Sequence, residues 1–198
     1  MIMLTEIKRG VLFTIVTMVL FGGVYHAGLW AVGQVAFPAQ AEGSLMRRDD
    51  GSVIGSGLVA QAFTRPEYFH PRPSAVDYNA ASTGGSNFGA SNPEHLDLVQ
   101  ERLAAVIARG SVPASQVPSE MITASGGGLD PHIPPAAAYL QAARVAAARG
   151  VDLNRVRTLI DTHTEPPTFG FLGRARVNVL ELNLALDQEL ARPVNGQR

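Results

Sequence analysis

From Val11 to Val35 nearly every position is apolar, and no Lys, Arg, Asp or Glu falls between Arg9 and Glu42. A bilayer core about 30 Å thick takes roughly 20 apolar residues in a helix. Residues 11–35 are therefore predicted as a transmembrane helix, after a short stub at residues 1–10, and no other stretch of the chain is long enough. Beyond it the pattern breaks into shorter pieces. Ser44 to Asp50 is a polar lead-out. Ser52 to Gln61 holds β-prone fragments interrupted by glycine, a strand pair or a bulged strand. Phe63 to Pro93 is dense in Pro, Gly, Ser and Asn and forms no regular element. At about 30 residues it is too long for an idle connector, which makes it functional or interface-forming.

Helical periodicity then takes over. Asn92 caps and Pro93 opens a helix in which Leu96, Val99, Leu103, Val106 and Ile107 share a face, with Gly110 ending it. Pro113 to Pro118 is a loop, and Met121-Ile122-Thr123 is expected as a short strand. Pro134-Pro135 opens an Ala-rich helix that runs to Arg149-Gly150, and Asp152 caps another that runs to His163. Val177 to Leu186 begins with strand alternation and ends with helical spacing, so its division stays open. The pattern gives a mixed α/β (α+β) class. One N-terminal transmembrane helix precedes a single domain over residues 42–198, with about three helices and a small sheet of unread order.

Charge orients the anchor. Lys8 and Arg9 precede the apolar run, whereas Glu42 is the first charge after it. Positive flanks stay cytoplasmic, so the stub is expected inside and residues 42–198 outside. Ala39-Gln40-Ala41 resembles a signal-peptide cleavage site, but the apolar run far exceeds the roughly 7–15 residues of a signal core. His26, polar within that run, is expected at an interface or facing a partner. Net charge is −1, which gives no electrostatic case for nucleic acid. The absence of cysteine removes disulfides, thiolate catalysis and thiolate metal sites together.

Two irregular runs carry the candidate chemistry: Phe69 to Ala75 with Tyr78-Asn79 and Gly84 to Asn87, and Thr123 to Ile133. His163-Thr164-Glu165 is a shorter third. Gly84-Gly85-Ser86 and Gly126-Gly127-Gly128 could cradle phosphate with backbone amides. Neither has the spacing of a phosphate-binding loop, and the only Lys is Lys8. Asp130, His132, His163 and Glu165 could ligate a metal, though no pair has the spacing of a helical zinc motif. Ser125, Asp130 and His132 make a formal hydrolase set, and Arg72 with the glycine loops a small-anion site. Against these stands the simpler reading, in which the same side chains brace loops through buried hydrogen bonds.

Phe69-His70-Pro71-Arg72-Pro73-Ser74-Ala75, Gly84-Gly85-Ser86-Asn87, Ser91-Asn92-Pro93, Thr123-Ala124-Ser125-Gly126, Leu129-Asp130-Pro131-His132-Ile133, His163-Thr164-Glu165 and Arg176-Val177-Asn178-Val179-Leu180 together resemble the C-subunit (KdpC) family of the bacterial potassium-transporting Kdp ATPases. Order and spacing run from the anchor to about Asp187. Ser125-Gly126-Gly127-Gly128 stands where the family often has Ser-Gly-Ser-Gly. The resemblance implies an accessory, non-catalytic subunit of a high-affinity, ATP-driven potassium uptake pump, needed for assembly and activity and held in the bacterial inner membrane by a single pass, with its C-terminal domain periplasmic. Its implied partners are a catalytic P-type ATPase subunit, a potassium-channel-like subunit and a further small membrane subunit. The family is also described as raising the ATP affinity of the catalytic subunit, with nucleotide contact of its own. On that description Gly84, Gly85 and Ser86 are the nucleotide candidates. Arg72, Ser74, Asn79, Asn87, Asp130, His132, His163 and Glu165 are candidates for an interface or for loop bracing. No catalytic residue, metal ligand or firmly bound cofactor is expected.

Overall fold

The computed structural model describes residues 2–48 and 50–190; Met1, Asp49 and the end of the expected domain, 191–198, lie outside the described residues. The chain divides into two compact units, Met1–Leu45 and Met46–Arg198. In the first, one helix, α1, runs over Ile2–Ala36, long and apolar enough to cross a membrane, with none of its residues buried. At about 1.5 Å per residue it exceeds a 30 Å hydrocarbon core. The helix continues through the expected stub, where Arg9 pairs with Glu6 at 2.8 Å. Its middle, Met18–Tyr25, opens into π-helical geometry around Gly22-Gly23. There His26 Nδ1 lies against the Phe21 carbonyl oxygen. A carbonyl only accepts, so this ring nitrogen carries the proton, and the imidazole is satisfied within its own helix. Ala39-Gln40-Ala41 lies in a helical turn, Pro38–Ala41.

The second unit opens on a two-stranded sheet of β1 (Leu45–Arg47) and β2 (Val53–Ser56). β1 thus falls inside the stretch that reads as a polar lead-out. It is an edge strand with both ends exposed, so no apolar alternation marks it. Four helices follow: α2 (Pro93–Gly110), α3 (Pro135–Arg149), α4 (Leu153–Thr162) and α5 (Val179–Glu189). Three start as their caps dictate: Asn92 accepts from Glu94 N–H, Asp152 from Asn154 N–H, and Asn178 from Leu180 and Glu181 N–H. Asn178 also divides the last apolar element, which is strand β5 (Arg176–Asn178) up to the cap and helix after it. At the end of α2 the left-handed residue is Ser111, with φ 50°, one step beyond the expected Gly110.

β5 is the centre of a three-stranded antiparallel sheet in the order β3–β5–β4, with β3 at His132–Ile133 and β4 at Thr164–Glu165. Both outer strands are too short to show alternation, and Met121-Ile122-Thr123, the expected strand, instead follows a 3₁₀ turn at Ser119–Met121. The sheet and α3, α4 and α5 enclose the core, in which Ile133, Val145, Val156, Ile160, Val177, Leu182 and Leu186 are buried.

Phe69 is fully buried in this core, although no helix or strand runs between Ser56 and Pro93. Buried backbone needs partners, and here side-chain amides supply them. Asn183 on α5 accepts from Phe69 N–H (2.8 Å) and donates to Phe69 C=O (3.0 Å). Gln141 on α3 does the same for His70, at 2.8 and 3.2 Å. Asn178 donates to Gly57 C=O at 2.7 Å. The buried Arg149 donates to Glu67 C=O and Leu186 C=O and pairs with Asp187 at 2.7 Å. Each amide does the work of an absent neighbouring strand. Truncating Asn183 or Gln141 leaves a buried N–H and C=O together without partners, at about 1–3 kcal/mol each. Asn183→Ala is expected to destabilise the unit by about 2–4 kcal/mol and lower the thermal midpoint of the detergent-solubilised chain by several degrees. An unchanged midpoint would show that Phe69 is held by packing alone.

Candidate functional site

The first two irregular runs fold against each other. Arg72 lies between two prolines, which fix its backbone, and its guanidinium pairs with Asp130 at 3.1 Å. Asp130 also accepts from His132 N–H at 3.0 Å and faces His132 Nδ1 at 3.4 Å. The His132 ring and backbone N–H, with Arg72 beside them, outweigh partial burial and hold the Asp130 carboxyl below the usual carboxylate range. Ser74 Oγ donates to Gly128 C=O at 2.7 Å and accepts from the N–H groups of Val76 and Tyr78. Tyr78 closes its own loop by donating to Arg72 C=O at 2.8 Å.

The glycine loops complete the interlock. Gly84 N–H and Thr83 Oγ1 both donate to Gly127 C=O, at 3.1 and 3.0 Å, and Ser125 N–H donates to Pro73 C=O at 3.2 Å. A Cβ at Gly85 would stand 2.8 Å from Gly126 O. One at Gly128, where φ is 71°, would stand 2.6 Å from Val76 Cγ2 and 2.9 Å from Gly84 O. Glycine is required here because two backbones touch. Ser86 is exposed, as are Asn79 and Asn87; Asn79 accepts from Ala81 N–H and Asn87 donates to Gly85 C=O, both local turns.

Arg72, Ser74, Ser125, Asp130 and His132 are thus brought together, with the two glycine loops beside them. His163 and Glu165 are not. They sit by β4, across β5 from His132, where His163 Nδ1 donates to Leu159 C=O and Glu165 pairs with Arg176 at 2.8 Å. The four side chains weighed as a metal set lie on two edges of the sheet, and among the described residues no three His, Cys, Asp or Glu are grouped to hold an ion. The hydrolase set lacks its relay. Ser125 is buried, its Oγ accepts from Asp130 N–H at 3.5 Å, and among the described residues it makes no bond to His132. Arg72 is engaged by Asp130, so the anion site expected of it has lost its free cation.

Two features escaped the sequence reading. Thr168 and Leu172 pair across a tight turn, with Gly170 and Gly173 at positive φ, that leaves Phe169, Phe171 and Leu172 exposed. Aromatic residues alternating with glycine were its signal. Arg102 and Arg109 stand seven residues apart, two turns along one face of α2. Arg109 approaches Arg144 of α3 and His70 around a cavity beneath the first run, and Arg102 lines an adjoining cleft with Arg109 and His70. Burial, with the charges of Arg144 and Arg109, pushes His70 down to about 4.

The close approach at Gly128 separates it from Gly84, where an added Cβ would meet only ordinary contacts. Gly128→Ala is expected to cost more than about 1 kcal/mol and to open the 123–132 run to limited proteolysis, while Gly84→Ala leaves both the thermal midpoint and the digestion pattern near those of the unmodified chain. Equal behaviour of the two variants would mean that the runs do not depend on this contact.

Residues 7–188 match the model of the family described as KdpC, the K+-transporting ATPase c chain. The chain is 50% identical to a potassium-transporting ATPase KdpC subunit of Polaromonas naphthalenivorans over 189 residues, covering 94% of each chain. It is 48% identical to one from Cereibacter sphaeroides over 185 residues, 93% of this chain and 98% of that one. A third, from Geobacter sulfurreducens, is 46% identical over 92% of this chain and 97% of the relative. Neither a free-standing anion-binding module nor a hydrolase is supported by these relatives or by the geometry. An apolar helix long enough to cross a membrane, an interlocked pair of loops without a nucleophile relay, and this match over nearly the whole length converge: the chain belongs to the KdpC family, accessory subunits of the potassium-transporting ATPase.

Proposed function

We propose that this subunit works by docking. α1 packs among the helices of the pump, and the 42–198 domain covers part of the channel-like subunit near its potassium entrance, beside the catalytic P-type ATPase subunit and a further small membrane subunit. The observation that carries this reading is the interlock of the 69–87 and 123–132 runs. Arg72, Ser74, Thr83 and Asp130 are spent on bonds within the interlock, and Gly85 and Gly128 on close contact between the two backbones. The product is a large irregular surface already held in one shape. A surface ordered before binding loses less entropy on association. The charge flank, Lys8-Arg9 before α1 and Glu42 after it, supports a cytoplasmic N-terminus and a periplasmic domain.

That orientation separates Gly84, Gly85 and Ser86 from cytoplasmic ATP. Any rise in ATP affinity is then a coupling free energy passed through the assembled complex, not a contact made by this chain. Affinity purification of the chain from membranes in mild detergent, followed by mass spectrometry, is expected to recover a P-type ATPase subunit and a potassium-channel-like subunit. Recovery of the chain alone, under conditions that keep other complexes intact, would overturn the docking role. Orientation has its own test, because a chain without cysteine accepts a unique one. Ser86→Cys, at an exposed position, is expected to react with an impermeant maleimide in intact cells whose outer membrane has been permeabilised. Labelling only after the inner membrane is broken would place the domain inside.

A further inference from the structure

The cavity between α2, α3 and the 62–73 segment has two arginines, Arg109 and Arg144, and His70 on its polar side. Val106, Val112, Met121 and Leu140 line much of the rest, and the space itself is narrow, about 20 Å³. It opens beside a wider cleft of about 300 Å³, which shares His70 and Arg109 and adds Arg102 and Tyr78. Every acceptor these guanidiniums reach is neutral. Arg109 donates to Ala105 C=O (3.0 Å) and to His70 Nδ1 (3.1 Å). Arg144 donates to Pro66 C=O and to Gln141 Oε1 (2.8 Å), and Arg102 to Ile122 C=O (3.4 Å). None is ion-paired with a carboxylate among the described residues, whereas Arg65, Arg72, Arg149, Arg174 and Arg176 all are. Glu101, at the edge of the adjoining cleft, is the one carboxylate lining either space.

Like charges gathered in a half-buried site repel, and their cost falls when a countercharge arrives. The strain is visible at Arg144, which burial and the Arg109 charge push down to about 10. A guanidinium has five donors in a planar fork suited to oxyanions. The bonds above use two on Arg109, two on Arg144 and one on Arg102. Gln141, whose amide clamps His70, also orients Arg144, so the site is built on the same buried frame as the fold.

We propose that Arg109 and Arg144, with Arg102 at the edge of the adjoining cleft, form an oxyanion site that binds a phosphate group, either free or carried on a lipid headgroup. Phosphate fits better than a lone carboxylate because its charge and extra oxygens can engage more than one fork at once. The site is separate from the glycine loops and does not depend on how the subunit docks.

The test uses the full chain in detergent, with inorganic phosphate exchanged for chloride at constant ionic strength. Phosphate is expected to raise the thermal midpoint saturably by a few degrees, because it binds the folded state. It is also expected to move the His70 titration, followed by NMR, upward from about 4, since bound negative charge offsets Arg144 and Arg109. Arg109→Gln, which loses only bonds to Ala105 C=O and the His70 ring, should fold and lose both responses. Arg144→Lys, which keeps the charge but not the fork, should weaken the apparent phosphate affinity roughly tenfold. No phosphate-specific rise, or a rise that survives in the Arg109→Gln, Arg144→Gln double variant, overturns the site. Nanodiscs sort the source. A midpoint higher in phosphatidylglycerol than in phosphatidylcholine, with no further gain from phosphate, upholds a headgroup ligand. Equal midpoints with a full phosphate response uphold a free anion.

Discussion

Backbone that leaves regular structure but stays in the core must find hydrogen bonds elsewhere. Most of this domain's architecture answers that demand. The chain from Gly57 to Asn92 has no ladder, yet it passes beneath the surface and buries Phe69 completely. Gln141, Asn178 and Asn183, each nearly inaccessible to solvent, replace the missing strand partners, and Arg149 gathers three carbonyls and a carboxylate at one end. These residues stand on α3, on α5 or at its cap, so the helices serve as a frame for the irregular run as much as for the core. An apolar residue of similar size at any of these positions would fill the space and leave the run unanchored.

Legibility followed the physics of each signal. Helices announced themselves because capping is local: Asn92-Pro93, Pro134-Pro135 and Asp152 each sit within a turn of what they start. Asn178 was the missing key to the last element, since a cap explains both where β5 stops and where α5 begins. Strands were poorly legible because β3 and β4 have only two residues each, too few for alternation. They exist because β5 lies between them, a property of tertiary structure. Met121-Ile122-Thr123 has strand-like residues and no partner strand, so propensity lost to context.

The candidate site was half legible. Arg72 and Asp130 stand in the two irregular runs that composition marks, but they are far apart in sequence, and their pairing is a property of the fold. The local amide turns of Asn79 and Asn87 follow from residue type. The arginine cluster was hidden because Arg144 comes from a different helix than Arg102 and Arg109, and nothing in an Ala-rich helix marks one arginine as facing a cavity. The apolar N-terminal helix was the plainest feature of all, since being long and apolar enough to cross a bilayer is a matter of length and composition, both local to the sequence.

The amide clamps also set an order of events in the life of the chain. The bonds from Asn183 to Phe69 join residues 114 apart in sequence, and those from Gln141 to His70 join residues 71 apart. Synthesis at about 5–20 residues per second delivers the irregular run long before the helix that holds it. Until α5 is made, that run has no source for half its partners and stays open to proteases and chaperones. A ribosome that stops short of Asn183 therefore releases a chain with its apolar N-terminal helix and α2 to α4 but without the amide that holds Phe69. Only with α5 in place does the irregular run have every bond that fixes its shape.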